Sequence, residues 1–368
     1  YEEFLQKMQL AGYEVRQGKH LSFRAPEQKN FTYMKSLGSY YSEENVRIRL
    51  AKNRSKAKAP KHLSREARLY INISTYVTTG NREGFERWAK LNNLKEALPQ
   101  LGQSQADVIY EVPAEGGITR IMAVFANAGR VPEQLTPLRS ARTPFVMLAQ
   151  SLDVIYCHAG GSDMGLKTID QLGIDHINAL NYDPKGTFWR DQALSSQRGL
   201  EYSLSTSGKN IGARADAMEL RKTSDRAMPY GFTDTAPSGS AASQIQVKFS
   251  GLQTINFQYD AAQKVYKKYN GSLANAEAHT TMDGTQLSAA NVLVMYDEKY
   301  MENSVTCSFR LQSGSGAAFI GGVNVPFSWQ RTSGGLSFFA LDGSPLKVLP
   351  GKTYICLVAN EHQADTVV

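Results

Sequence analysis

From residue 244 onward the chain is written in short β-branched and aromatic runs punctuated by glycine turns. Eight runs stand out, at 244–249, 254–259, 264–269, 292–296, 305–311, 317–320, 336–340 and 352–358. At four to seven residues each they suit strands and are too short for helices that bury a face. Asp283-Gly284 and Asp342-Gly343 supply the sharp reversals that adjacent antiparallel strands need. This part of the chain is therefore expected to be β-rich and mainly antiparallel.

Upstream the pattern changes. Residues 107–112 and 119–125 read as strands, the second ending at the turn Asn127-Ala128-Gly129. Residues 142–152 are helical and apolar on one side. A short buried strand at 153–157 precedes Ala159-Gly160-Gly161-Ser162 and a helix that closes at Gly173. Alternating strand and helix predict an α/β layered domain over 98–235. Residues 233–243, with Thr235-Ala236-Pro237-Ser238-Gly239-Ser240, are a linker by composition and set off a domain at 244–368.

Residues 1–97 differ again. They hold 19 Lys and Arg against 10 Asp and Glu, a net of +9, whereas the remainder holds 22 against 24. Phe4, Leu5, Met8 and Leu10 have helical spacing up to Gly12. Residues 13–16 and 20–24 flank Gln17-Gly18-Lys19 as a hairpin. A helix starts at Ser42-Glu43-Glu44 and runs into Lys52, Arg54, Lys56 and Lys58. Residues 64–97 are again helical, interrupted at Thr79-Gly80-Asn81. The fold class predicted is thus α+β: a mostly helical first segment, an α/β half and a β-rich half. Lys52, Arg54, Lys56 and Lys58 are candidate phosphate contacts for a weak nucleic-acid interaction, and equally suit a solvated helical surface.

At 42% hydrophobic and 20% charged residues the composition is that of a globular protein. No apolar run approaches the roughly 20 residues that span a bilayer. Cys157, Cys307 and Cys356 form no CxxC pair and read as buried thiols. His158, His176 and His279 lack metal-ligand spacing, and His279, ahead of Asp283-Gly284, reads as a loop residue. No metal or cofactor is expected. Trp329, Phe327, Phe338 and Phe339 read as core rather than as a stacking platform for bases.

Two resemblances bear on these parts. Gln17-Gly18-Lys19-His20-Leu21-Ser22-Phe23-Arg24-Ala25-Pro26, Lys35-Ser36-Leu37-Gly38 and Phe85-Glu86-Arg87-Trp88-Ala89-Lys90-Leu91-Asn92-Asn93-Leu94-Lys95 resemble the region after the nuclease domain of plasmid and transposon relaxases. The relaxase histidine cluster and its tyrosine nucleophile motif are absent, so this resemblance does not imply nicking. From about residue 98 the chain resembles the YerB-like family of bacterial envelope domains. Gln105-Ala106-Asp107-Val108-Ile109-Tyr110-Glu111, Pro137-Leu138-Arg139-Ser140, His158-Ala159-Gly160-Gly161-Ser162, Phe188-Trp189-Arg190-Asp191 and Pro350-Gly351-Lys352-Thr353-Tyr354-Ile355 carry it. The resemblance implies a two-part α+β unit, secreted and lipid-anchored, with no catalytic residues to assign. Neither a signal peptide nor an anchor cysteine is present in the sequence, which leaves a cytoplasmic setting open.

The strongest chemical candidate is the group Arg120, Arg139, Ser140, Arg142, His158, Gly160, Gly161, Ser162 and Arg190. A glycine loop between a strand and a helix gathers unpaired N–H groups, and nearby guanidinium groups grip anions in a bidentate manner. The alternative is that the arginines pair with Asp107, Glu111 or Glu115 and pin strands together. The leading expectation is non-catalytic binding of an anionic small molecule, an envelope glycan or a protein partner. One competing expectation is an ester or phosphate hydrolase using His158 as base; the other is nucleic-acid binding through residues 1–97.

Overall fold

The structure, a computed structural model, describes residues 5, 9, 13–16, 21–24, 30–33 and 100–368, apart from 182, 184, 185 and 225. Residues 1–85 and 86–368 form two compact units. In the first, β1 (Glu14–Arg16) pairs antiparallel with β2 (Ser22–Arg24), which pairs with β3 (Thr32–Tyr33). Leu21, Ser22 and Phe23 are buried, and Arg24 pairs with Glu14 at 2.5 Å. Both strands of the expected hairpin are therefore present. Leu5 and Gln9, in the stretch expected as the first helix, are helical, and strand accounts for the rest of the regular structure among the described residues of this segment. The helices expected over 42–97, and with them Lys52, Arg54, Lys56 and Lys58, lie outside the described residues.

The second unit opens with β4 (Val108–Pro113) and β5 (Thr119–Val124), an antiparallel hairpin turned through Gly116 and Gly117 at φ 69 and 77. Helix α1 (Thr143–Leu152) follows, started by Pro144 and stopped by Asp153 in the left-handed conformation. Strands β6 (Tyr156–His158) and β7 (His176–Asn178) pair in parallel through α2 (Asp163–Leu172). Ser162 Oγ caps α2 by accepting from Gly165 N at 3.1 Å, and Gly173 ends it. Strand β8 (Phe188–Arg190) pairs antiparallel with β9 (Leu204–Thr206), flanked by α3 (Gln192–Arg198) and α4 (Gly208–Ala217).

Short strand β10 (Gly231–Phe232) precedes the stretch expected as linker, and β11 (Ser240–Ala241) lies within it. A small sheet then forms from β12 (Gln244–Lys248), β13 (Thr254–Asp260) and β14 (Val265–Asn270), with β15 (Glu277–Ala278) and β16 (Ser288–Ala289) added to β14. Next come β17 (Asn291–Asp297), the hairpin β18 (Lys299–Met301) and β19 (Cys307–Phe309), β20 (Ser313–Ile320) and β21 (Val323–Thr332). Strands β22 (Gly335–Ala340), β23 (Lys347–Val348) and β24 (Thr353–Ala359) complete the series.

The large sheet has eight strands, ordered β11-β21-β20-β17-β24-β4-β5, with β22 on β21. Strands β17, β24 and β4 run parallel, and the other pairings are antiparallel. Alternation along β17 and β24 explains what covers each face. Leu293, Met295, Ile355 and Leu357 pack toward α1 with Phe145, Val146, Leu148 and Ala149. Val292, Val294, Tyr354, Cys356 and Val358 face the small sheet with Ile245, Val247, Phe257 and Tyr266. A strand covered on both sides has no polar face to keep, which is why every residue of β17 and β24 is buried. The large sheet crosses the division expected at 236–243, since β4 and β5 from upstream hydrogen-bond into strands from downstream.

Candidate functional site

Arginines 120 and 142 converge on one carboxylate. Arg120 Nη2 donates to Glu115 Oε2 at 2.9 Å, and Arg142 Nε donates to Glu115 Oε1. Their remaining contacts are carbonyls: Arg120 Nη1 to Ser140 O at 3.2 Å and Arg142 Nη1 to Ala141 O at 2.7 Å. Burial resists ionisation of Glu115, but the Arg142 hydrogen bond and both guanidinium charges outweigh it and hold its pKa below the usual range. Burial pushes the Arg120 pKa down to about 10; Glu115 opposes this, while Arg142 and Arg139 add to it. Arg120 Nε is buried without an acceptor.

The other two arginines hold a different turn. Arg139 Nη1 donates to Glu201 O at 2.7 Å, with the Glu201 carboxylate 3.7 Å away and the Tyr202 ring beneath. Arg190 Nη1 donates to Leu200 O. The expected group thus forms two pairs, one on Glu115 and one on the turn at 200–202. Of the acidic partners weighed, Asp107 takes Arg130 at 2.7 Å, and Glu111 takes none of the arginines.

The glycine loop joins the first pair through its backbone. Ala141 N donates to Gly160 O at 2.8 Å, Ala159 N to Arg139 O at 3.0 Å and Ser162 N to Ala141 O at 3.1 Å. Gly160 sits at φ 63, and a Cβ on Gly161 would meet Leu166 at 2.9 Å and Ala141 at 3.2 Å. Here the glycines serve close packing and a left-handed turn. The loop N–H groups of 160 and 162 are already spent, Gly160 N on Asn178 Oδ1 at 2.9 Å.

His158 is fully buried, between the rings of Tyr156 and His176. Its Nδ1 lies 2.8 Å from Gly160 O and its Nε2 lies 2.9 Å from His176 Nδ1. A carbonyl accepts only from N–H, so Nδ1 carries the proton and Nε2 accepts from His176. Both nitrogens are occupied, by Gly160 O and His176 Nδ1, and among the described residues no serine is bound to either. The residue was placed correctly at a strand end but faces inward, because Tyr156 and His158 share the buried side of a three-residue strand.

Three histidines set an acid limit on stability. Burial lowers the pKa of His158, opposed by the Gly160 carbonyl and assisted by His176. Burial likewise lowers that of His176 and, assisted by the Lys268 charge, drives that of His279 well down. Below about pH 6.5 the unfolded chain therefore binds protons that the folded chain refuses. Stability should be level above that pH and fall beneath it, by up to about 1.4 kcal/mol per pH unit for each fully buried histidine. Urea unfolding at stepped pH should show this slope, and His279→Gln should make it shallower; a flat profile down to pH 5 would refute the assignment.

Two features escaped the sequence. One is a polar network between the sheets: Glu111, Lys268, Tyr354 and His279, all buried. His279, read as a loop residue, instead accepts from Lys268 Nζ through Nδ1 at 2.7 Å and meets Gln100 Oε1 through Nε2 at 2.9 Å. The signal available was Lys268 itself, a charge in phase with buried Tyr266. The other is a pair of clefts. The larger, about 940 Å³, contains Asp107, Arg130 and Lys352, whose charges are met by one another or by Ser104 O. The smaller, about 440 Å³, lies among α1, α2, the β18–β19 hairpin and Arg331. Among the described residues no cluster of His, Cys, Asp and Glu could hold a metal, and no helix is long and apolar enough to cross a membrane.

A mixed eight-stranded sheet, helical on one face and backed by a small sheet on the other, with its arginines tied to a glycine loop, defines a two-part α+β protein. Residues 86–221 match the N-terminal domain, and residues 245–355 the C-terminal domain, of the family described as protein of unknown function DUF3048; the chain belongs to that family. It is 26% identical over 273 residues to YerB of Bacillus subtilis, provisionally named a lipoprotein, covering 73% of this chain and 79% of that protein. The crystal structure of Bacillus subtilis YerB matches with a TM-score of 0.61 at 25% identity, covering 72% of this chain and 87% of that one. The family match begins at Glu86, inside the segment 1–97 that was expected to lie outside the family.

Proposed function

We propose that this chain is a non-catalytic binding protein of the bacterial envelope, and that its arginine group receives an anionic ligand. The likeness to YerB supports the envelope setting. The carrying observation for binding is that Arg120 and Arg142 share a single carboxylate while Arg120 Nε is buried without an acceptor. One carboxylate offsets one guanidinium; the second charge is left to backbone carbonyls, as is that of Arg190. A phosphate, sulfate or carboxylate from a small molecule, a glycan or an acidic protein partner would complete the balance with charge-assisted bonds. With His158 turned inward, nothing at the site supports hydrolysis.

Calorimetric titration at low salt with phosphate, and with a short anionic glycan, tests the proposal. Arg142→Ala should weaken binding by about 1.5–3 kcal/mol through loss of a charge-assisted bond. Arg139→Ala, at a more exposed position, should weaken it with no loss of fold. Absence of heat with the wild type, or wild-type affinity in both variants, would remove the arginine group as a ligand site.

A further inference from the structure

The smaller cleft holds two opposite charges that do not meet. Glu302 follows β18, and both its carboxylate oxygens are shielded from solvent without a partner among the described residues. Only its backbone is engaged, Glu302 N donating to Thr306 O at 2.9 Å. Arg331 projects from β21 onto the same cleft. Its guanidinium meets neutral acceptors only, Ser151 Oγ at 2.8 Å and Gln150 Oε1 at 3.0 Å, and burial lowers its pKa. Thr143 Oγ1, at the start of α1 and also lining the cleft, is buried without a partner as well.

Unpaired buried charge is costly, and folded proteins keep it mainly where something else satisfies it. An acid and a base in one cleft that neglect each other argue against a simple ion as that something. A lone anion would suit Arg331 and be repelled by Glu302; a lone cation would meet the reverse. The rest of the wall mixes polar Thr168, Gln171 and Tyr300 with adaptable apolar side chains: Met147 lines it, and Met164, Leu172 and Met301 stand 43%, 39% and 54% exposed at its edge. Thioether side chains shape themselves to varied apolar groups. A volume of about 440 Å³ falls within the range of small-ligand sites.

We infer that this cleft binds a small zwitterion, a free amino acid or short peptide, with its ammonium at Glu302, its carboxylate at Arg331 and an apolar side chain against Met147 and Met164. The residues are distinct from the arginine group on Glu115, so the inference stands or falls separately from anion binding there. Glu302→Gln is the informative variant, since removing a carboxylate without partners should leave the fold intact or firmer.

The test is calorimetry on the full chain with four probes at millimolar concentration: leucine, N-acetyl-leucine, leucine amide and the dipeptide Ala-Leu. Leucine or Ala-Leu should bind, and the tighter of the two distinguishes amino acid from peptide. N-acetyl-leucine, lacking the ammonium, and leucine amide, lacking the carboxylate, should each bind about tenfold more weakly or worse. Glu302→Gln should abolish the preference for leucine over N-acetyl-leucine while leaving phosphate affinity at the arginine group unchanged. Equal binding of blocked and free forms, or no heat from any probe with wild-type protein of normal unfolding midpoint, would overturn the inference.

Discussion

Replacing Glu111 with glutamine should cost the fold about 3–5 kcal/mol, a large share of what holds a chain of this size together. Glu111 and Lys268 are 2% and 1% exposed, their charged atoms 3.5 Å apart between the two sheets. Tyr354 Oη and Thr119 Oγ1 each donate to the carboxylate at 2.5 Å. On the other side Lys268 Nζ donates to His279 Nδ1 at 2.7 Å and Asn270 Oδ1 at 3.3 Å. Glutamine fits the space but leaves the ammonium without a counter-charge in a place water does not reach. Denaturant unfolding at pH 7.5 should show the loss as a lower midpoint. The double variant Glu111→Gln with Lys268→Met should recover much of it, because the stranded charge is gone and only hydrogen bonds are missing. If Glu111→Gln lies within about 1 kcal/mol of wild type, the network is not a charge pair in solution.

Trp329→Ala should be of similar size, about 3–5 kcal/mol, by a different route. The indole is 1% exposed in the core beneath α1, and its Nε1 donates to Ser315 O at 3.1 Å. It lies against Gly314, where a Cβ would meet Trp329 Nε1 at 2.8 Å; Phe327 covers Gly316 in the same way, at 2.3 Å. Alanine at 329 would open a cavity and orphan a carbonyl, whereas alanine at 316 would overfill the space. Both should lower the unfolding midpoint without changing the denaturant slope, Trp329→Ala the more. A Trp329→Ala protein of near-normal stability would mean that this corner of the core is slack.

What was legible here was local. Most of the longer strands between 244 and 358 could be read because they repeat apolar or aromatic residues at the spacing the pleat dictates, as in Gln244 to Lys248, where Ile245 and Val247 are buried; β21, with Asn324, Pro326, Ser328 and Gln330 between its apolar residues, was missed. The capped helix after Ser162 and its stop at Gly173 were legible for the same reason. The group around Arg120, Arg142 and Gly160 was legible as a cluster of donors, but not the division of its arginines between Glu115 and the turn at 200–202. Pairing across long separations leaves no mark on periodicity, so the parallel contact of β4 with β24 and the meeting of Glu111 with Lys268 were hidden. Glu302 and Arg331 were hidden likewise: each is an ordinary charged residue in its own segment, and only the packing of a hairpin against two helices makes visible that neither meets an opposite charge.

The place of β24 between β17 and β4 has a consequence for how the protein is made. Val108 on β4 meets Thr353 on β24, about 245 residues later in the sequence. As synthesis proceeds from the N-terminus, the hairpin β4–β5 must wait with one edge bare until almost the whole chain has emerged. No rearrangement upstream closes that gap early, because the missing strand has not yet been produced. The central sheet is sealed by the last of its strands to be made, and until then β4 keeps an unpaired edge.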